Sequence, residues 1–161
     1  MQGPTRTDSI FHWGYVVRNM ERAMKIWTAQ GAKVIVEPAL DPIQNVVCSL
    51  LVYKDAIPIE LVAPMPSGPN PIASRLTRGG GLDHVCLFSD AIERDVAEME
   101  QQGELVVVPV CYGAVFDRQL AFIQTRTGLV VELMSRAPVG KLQFDPLGEY
   151  LSWSCQSVSR K

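Results

Sequence analysis

The sequence predicts an α+β protein built from two tandem βαβββ modules. Three observations predict it. Short apolar runs of strand length alternate with segments of helical spacing. The whole order occurs twice at a fixed offset of 72 residues, the interval from His12 to His84. A stretch rich in proline and glycine separates the two copies.

The first copy opens with "FHWGYVVRNMERAMKIWTAQGAKVIVEP" (11–38) and the second with "DHVCLFSDAIERDVAEMEQQGELVVVPV" (83–110). Each begins with an apolar strand. In the first strand, alternation puts Ile10, His12, Gly14 and Val16 on one face. Asn19 and Asp90 suit the N-caps of the helices that follow. Met20, Ala23, Met24 and Trp27 have i, i+3, i+4, i+7 spacing, which buries one face, and Ile92, Val96 and Met99 match three of them in the second copy. Gly31 and Gly103 suit helix C-termini, and the strands "AKVIVEP" and "ELVVVPV" follow. Further strands fall at about 44–53 and 118–124. "PIELVAP" (58–64) matches "VVELMSR" (130–136), so Glu60 meets Glu132. The modules are then 8–64 and 82–136, with 65–81 as a linker in which "PIASRLT" has one or two helical turns. Residues 137–161 form a C-terminal extension, with "DPLGEYLSW" as a short helix.

Composition limits the function. Net charge is −2 among 161 residues, and no basic field points to nucleic acid or an anionic membrane. The longest apolar runs are strand-sized, and "MQGPTRTDS" has no apolar signal core, so the expectation is a cytoplasmic protein. Cys48, Cys86, Cys111 and Cys155 contain no CxxC pair and read as small buried hydrophobes.

The polar residues inside the strands carry the functional signal. The only two histidines occupy equivalent places, and so do Glu60 and Glu132. A carboxylate in the middle of "LVVELM" or "IPIELV" is costly to bury without a cation, and neither strand supplies one. If the modules pair as pseudo-symmetric halves, two imidazoles and two carboxylates converge on one cleft. That donor set suits one divalent ion: Zn, Ni, Co, Mn or Fe.

These residues resemble the vicinal oxygen chelate (glyoxalase/bleomycin resistance/dioxygenase) superfamily, and within it methylmalonyl-CoA epimerase-like proteins. The resemblance covers about residues 8–136 and is most specific in "IPIELVAPMPSGPNPIASRLTRGGGLDHVCLFSDAIE". It implies a curved mixed sheet around a metal cleft, with His12, Glu60, His84 and Glu132 as ligands, the same four that the repeat selects. It also implies a metal-dependent isomerase, epimerase or lyase that abstracts a proton next to a carbonyl, with an acyl thioester among the compatible substrates. Glu132 is then the first choice of base, with Glu60 opposite. The chain departs from the epimerases at Gln44, where they carry a glutamate base; Asp41 is the nearest carboxylate that could replace it. Gln44, Cys86 and Arg118 are expected to line the substrate site, and Arg75 and Arg78 are further candidates for an anionic substrate group. Relatives commonly form homodimers, which is the expected assembly. A dioxygenase and a non-catalytic small-molecule or antibiotic-binding protein are the alternatives within the superfamily.

Overall fold

The computed structural model describes residues 10–54 and 56–158, with side chains through Trp153. Residues 1–9, which include the expected start of the first module, lie outside the description, as do 159–161 and the side chain of Cys155.

Two βαβββ halves follow one another. The first is β1 (Ile10–Val16), α1 (Met20–Ala29), β2 (Lys33–Asp41), β3 (Val46–Val52) and β4 (Ile59–Pro64). A short α2 (Ala73–Thr77) lies in the connection. The second is β5 (Gly81–Ser89), α3 (Ile92–Gln101), β6 (Leu105–Gly113), β7 (Arg118–Gln124) and β8 (Val130–Ser135), and α4 (Gly148–Val158) ends the chain. All eight strands form one sheet of order β2-β3-β4-β1-β5-β8-β7-β6. That order is the same read from either edge with the modules exchanged. Each module's first strand runs parallel to its last, and β1 and β5 meet antiparallel at the centre.

Local chemistry sets the helix ends. Asn19 caps α1 by accepting from the Arg22 N–H at 2.8 Å. Asp90 does not cap α3: the helix starts one residue later, Ser89 Oγ accepts from the Ala91 N–H, and Asp90 pairs with Arg136 instead. The hairpins β2–β3 and β6–β7 turn through Asn45 and Asp117, equivalent positions that both adopt positive φ (57° and 53°). Asparagine and aspartate tolerate that conformation best among residues with a side chain.

The two sheet faces bury different cores. On one face α1 packs over Leu51 and Leu61 through Ala23, Met24 and Trp27, and α3 packs over Val131 and Leu133 through Ile92 and Val96. The other face carries Val46, Cys48, Leu50, Val62, Cys86 and Met134. Alternation therefore sends Glu60 and Glu132, between Leu61 and Leu133 and their outer neighbours, to this inner face. In β1 the alternation breaks. A register shift between Ile10 and His12 lets Phe11 join the inner core and turns Ile10 toward the α3 side, so Ile10 does not share the His12 face as the sequence suggested.

The C-terminal extension is anchored to the body. Arg118 is fully buried; its two terminal nitrogens bond the Asp145 carboxylate at 2.9 and 3.0 Å, and it also donates to the carbonyls of Phe116 and Arg136. Asp117 accepts from the N–H groups of Gly140 and Lys141. Leu147 is buried in the inner core, and Tyr150 packs beside Phe11. Arg118 therefore departs from the sequence expectation: it is buried, bonded to Asp145 and two backbone carbonyls, and ties the extension to the body. No helix among the described residues is long and apolar enough to cross a membrane.

Candidate metal centre

The central strands bring His12, Glu60, His84 and Glu132 to one point. Gly14 of β1 is the register partner of both Glu60 on β4 and His84 on β5, while Cys86 of β5 pairs with both His12 and Glu132. The junction of the two modules thus gathers one histidine and one glutamate from each. His12 Nε2 lies 3.2 Å from Glu60 Oε2 and 3.0 Å from Glu132 Oε2. His84 Nε2 lies 3.2 and 3.3 Å from the same two oxygens. One donor atom from each residue falls within 4.8 Å of all the others, and none of the four residues is more than 4% exposed.

The donors fit a divalent cation better than a network of ion pairs. His12 Nε2 and Glu132 Oε2 are close, yet neither makes a hydrogen bond of acceptable geometry, and both are sealed from solvent. Atoms that approach without aligning on each other are aimed at a shared point. Ligands about 2.1 Å from a metal stand about 3.0–3.4 Å apart along the edges of an octahedron or tetrahedron, and the four separations match that range. Asp83 Oδ2 accepts from His84 Nδ1 at 3.0 Å, which directs the Nε2 lone pair inward. The electrostatics agree. Burial alone would lower the pKa of both histidines, but Glu132 and Glu60, with Asp83 for His84, overcome it and hold both above the ordinary imidazole value. Burial alone would raise the two glutamates, and the imidazoles hold them below the usual carboxylate range, Glu60 most of all.

A cleft of about 530 Å³ opens onto this cluster from the Glu60 and His84 side. Glu132 and His12 do not reach its wall. Gln44 does line it, and its amide nitrogen donates to Asp41 at 2.8 Å. Asp41 is fully buried and also accepts from the N–H groups of Ile43, Gln44 and Ala114, so it ties the two hairpin loops together and is no candidate base. Cys86 lies in the inner core behind the ligands and does not line the cleft, contrary to expectation. Cys48 and Cys111 do line it, Cys111 being only half-buried. Arg75 and Arg78 lie on the same wall. Sequence reasoning missed Asp83: simple alternation puts the neighbour of His84 on the far face, and the shifted register of β5 against β1 is invisible in the chain. A broader surface depression of about 920 Å³ beside the start of α3 contains none of the four donors.

Residues 11–122, and so three of the four donors, match the Glyoxalase/Bleomycin resistance protein/Dioxygenase superfamily. No curated protein matches the chain. Among solved structures, methylmalonyl-CoA epimerase from Mycobacterium tuberculosis is similar at 21% identity and TM-score 0.73, covering 86% of this chain and 95% of its own. A hypothetical protein from Bacillus halodurans C-125 follows at 23% identity and TM-score 0.69, covering 80% and 94%. Streptomyces coelicolor methylmalonyl-CoA epimerase in complex with 2-nitronate-propionyl-CoA is 19% identical with TM-score 0.68, covering 83% and 96%. With the family match spanning most of the chain and the paired βαβββ sheet enclosing a His₂Glu₂ cluster, the protein belongs to the glyoxalase/bleomycin resistance protein/dioxygenase superfamily.

Proposed function

We propose that this chain is a metal-dependent enzyme that removes and returns a proton on the carbon next to a substrate carbonyl. The observation that carries the reading is the donor cluster itself: buried, with His12 Nε2 and Glu132 Oε2 left without hydrogen bonds, and reached by a cleft that Glu60 and His84 line. A divalent ion held by His12, Glu60, His84 and Glu132 supplies Lewis acidity toward a carbonyl oxygen. Zn, Ni, Co, Mn and Fe all suit two imidazoles and two carboxylates.

Glu60 is the residue we assign to proton transfer. The resemblance put Glu132 first, but Glu60 is the carboxylate on the cleft wall. It is held ionised by His12 and His84 and can take a proton on Oε1 or Oε2. Asp83, the other carboxylate on that wall, is engaged with His84 Nδ1. Gln44 cannot act as a base, so it serves to hydrogen-bond the substrate. With one available carboxylate, removal and return of the proton on one face suits an isomerase or lyase better than two-base epimerisation. Apolar side chains around the cleft, among them Val62 and Phe122, exclude water from an acyl group. The free Cys48, Cys86 and Cys111 support a reducing, cytoplasmic location.

The test combines metal analysis with exchange in heavy water. About one divalent ion per chain, and deuterium entering the α-position of an acyl thioester or 2-hydroxy carbonyl compound found by screening, is the expected result. Protein that holds metal but exchanges no α-proton in any carbonyl substrate refutes the reaction class.

A further inference from the structure

The cleft wall carries two arginines that no ion pair among the described residues neutralises. Arg75 lies in α2 and Arg78 is its C-terminal cap. Three residues apart, they occupy neighbouring positions on one helical face. Both line the cleft that reaches Glu60 and His84. α2 is fixed from behind. Leu76 is buried, Ile72 packs against the inner core, Arg18 donates to the Leu76 carbonyl at 2.6 Å, and the Gly80 N–H donates to the Arg75 carbonyl at 2.9 Å.

Arg75 is half-buried, and its Nε is sealed from solvent with no hydrogen-bond partner among the described residues. A buried N–H without an acceptor is rare because it forfeits the bond it made to water. Neither arginine forms an ion pair among the described residues. The carboxylates that share the wall are already committed, Asp83 to His84 Nδ1 and Glu60 to the two imidazoles. The rest of the wall is mostly apolar, with Ile43, Val62, Val107 and Phe122. A guanidinium in such surroundings attracts an anion more strongly than one in open water, and its planar fork matches a carboxylate or phosphate.

We propose that Arg75 and Arg78 form an anion-recognition subsite, so that the substrate carries a carboxylate or phosphate group in addition to its reacting carbonyl. This rests on reading the cleft as the substrate site. Arg75 orients the anion through the part of its guanidinium that lines the cleft, with the enclosed Nε–H as a reporter, and the more exposed Arg78 adds charge at the mouth. The substrate then spans the cleft with its anion on α2, its apolar part along Val62 and Phe122, and its carbonyl at the donor cluster.

The test uses the full zinc-loaded chain with three probes: malonate, inorganic phosphate and neutral malonamide. We expect malonate or phosphate to move the Arg75 Nε–H resonance in a saturable titration, and malonamide to leave it in place. Tighter malonate binding assigns a carboxylate; tighter phosphate binding assigns a phosphate. Arg75→Gln combined with Arg78→Gln should weaken the anion about tenfold or more with zinc content unchanged. Should that double variant not fold, the resonance titration of the parent protein decides alone. An Arg75 resonance unmoved by both anions overturns the proposal. So does a double variant that binds them as tightly as the parent, since the anion would then sit on the ion. Failure of the parent to hold zinc would sink the metal reading while leaving the arginine titration to be read independently.

Discussion

The His84 ring lies directly against the backbone of Gly14. A Cβ placed on Gly14 would stand 2.0 Å from His84 Cε1 and 2.3 Å from both ring nitrogens. Gly14 φ is not in the left-handed region, so this glycine is required for space and not for conformation. Its counterpart in the second module is Cys86, so the two histidines have unequal neighbours despite equivalent positions. Gly14→Ala should therefore leave the fold intact and displace His84. We expect a loss in metal affinity of about 10–100-fold, comparable to removing a supporting contact, measured by competition with a chelator.

The support of His84 gives a second expectation. Asp83→Asn keeps the shape of the side chain but removes the carboxylate that accepts from Nδ1. Metal affinity should fall about 10–100-fold, whereas His12→Ala and His84→Ala should each abolish binding. Metal retained at parental affinity in both histidine variants would refute the site.

The repeat explains why so much of this was legible. The offset that pairs His12 with His84 also pairs Glu60 with Glu132, and it does so because the sheet is symmetric about β1 and β5. The stripes of α1 and α3 and the terminal Gly31 and Gly103, both at positive φ, were equally readable as local signals. What escaped depends on contacts between distant segments. Arg118 looked like a free cation because Asp145, 27 residues away, shows no link to it in the chain. The β1 bulge and the Asp83–His84 contact depend on strand register, which the residues do not announce. Which glutamate faces the cleft is set by what fills the opposite side, where Phe116, Leu147 and Tyr150 pack beside the inner core.

That filling yields a stability expectation. Asp145→Ala leaves the Arg118 guanidinium buried and facing only two carbonyls. Breaking a buried pair by removing one partner costs about 3–5 kcal/mol; Asp145 is partly exposed, so about 2–3 kcal/mol is the expected loss after screening. Leu147→Ala should cost about 2–5 kcal/mol through the cavity it leaves. Urea melts measure both, and a change under about 0.5 kcal/mol in each would mean that the extension is not part of the folded body.

Protonation gives the apo protein an unusual pH profile. Both histidines are raised above 6.5, so their contribution to stability is complete below that pH and is lost as pH climbs through their folded values. Both glutamates are lowered from 4.5, so theirs is present above that pH and lost as pH falls through the folded values. The metal-free cluster is thus most stabilising between 4.5 and 6.5 and weakens on the alkaline side. A metal requires neutral imidazoles and gains affinity as the pH rises. The difference in Tm between metal-loaded and stripped protein should widen steadily from about pH 6 to about pH 9. A constant difference would mean that the histidines do not titrate with metal binding.

The last expectation separates the two glutamates. Both are ligand candidates, so loss of metal alone cannot tell them apart, but only Glu60 reaches the cleft. Glutamine keeps an oxygen donor and removes the base. Glu60→Gln should keep much of the metal and lose α-proton exchange about 10²–10⁴-fold, the range for a general base. Glu132→Gln should weaken metal to a similar degree but, once loaded, exchange within about tenfold of the parent. Asp41→Asn disrupts the loop bonds to Ile43, Gln44 and Ala114 and should act on stability and KM before kcat, because Asp41 does not face the substrate. Gln44→Glu adds a second carboxylate to the cleft wall and should permit proton delivery from another direction. Its product would then show loss of the stereochemical bias that a single base imposes. If loaded Glu132→Gln is the dead enzyme and Glu60→Gln the active one, the proton is handled from behind the cleft, and the assignment of Glu60 is wrong.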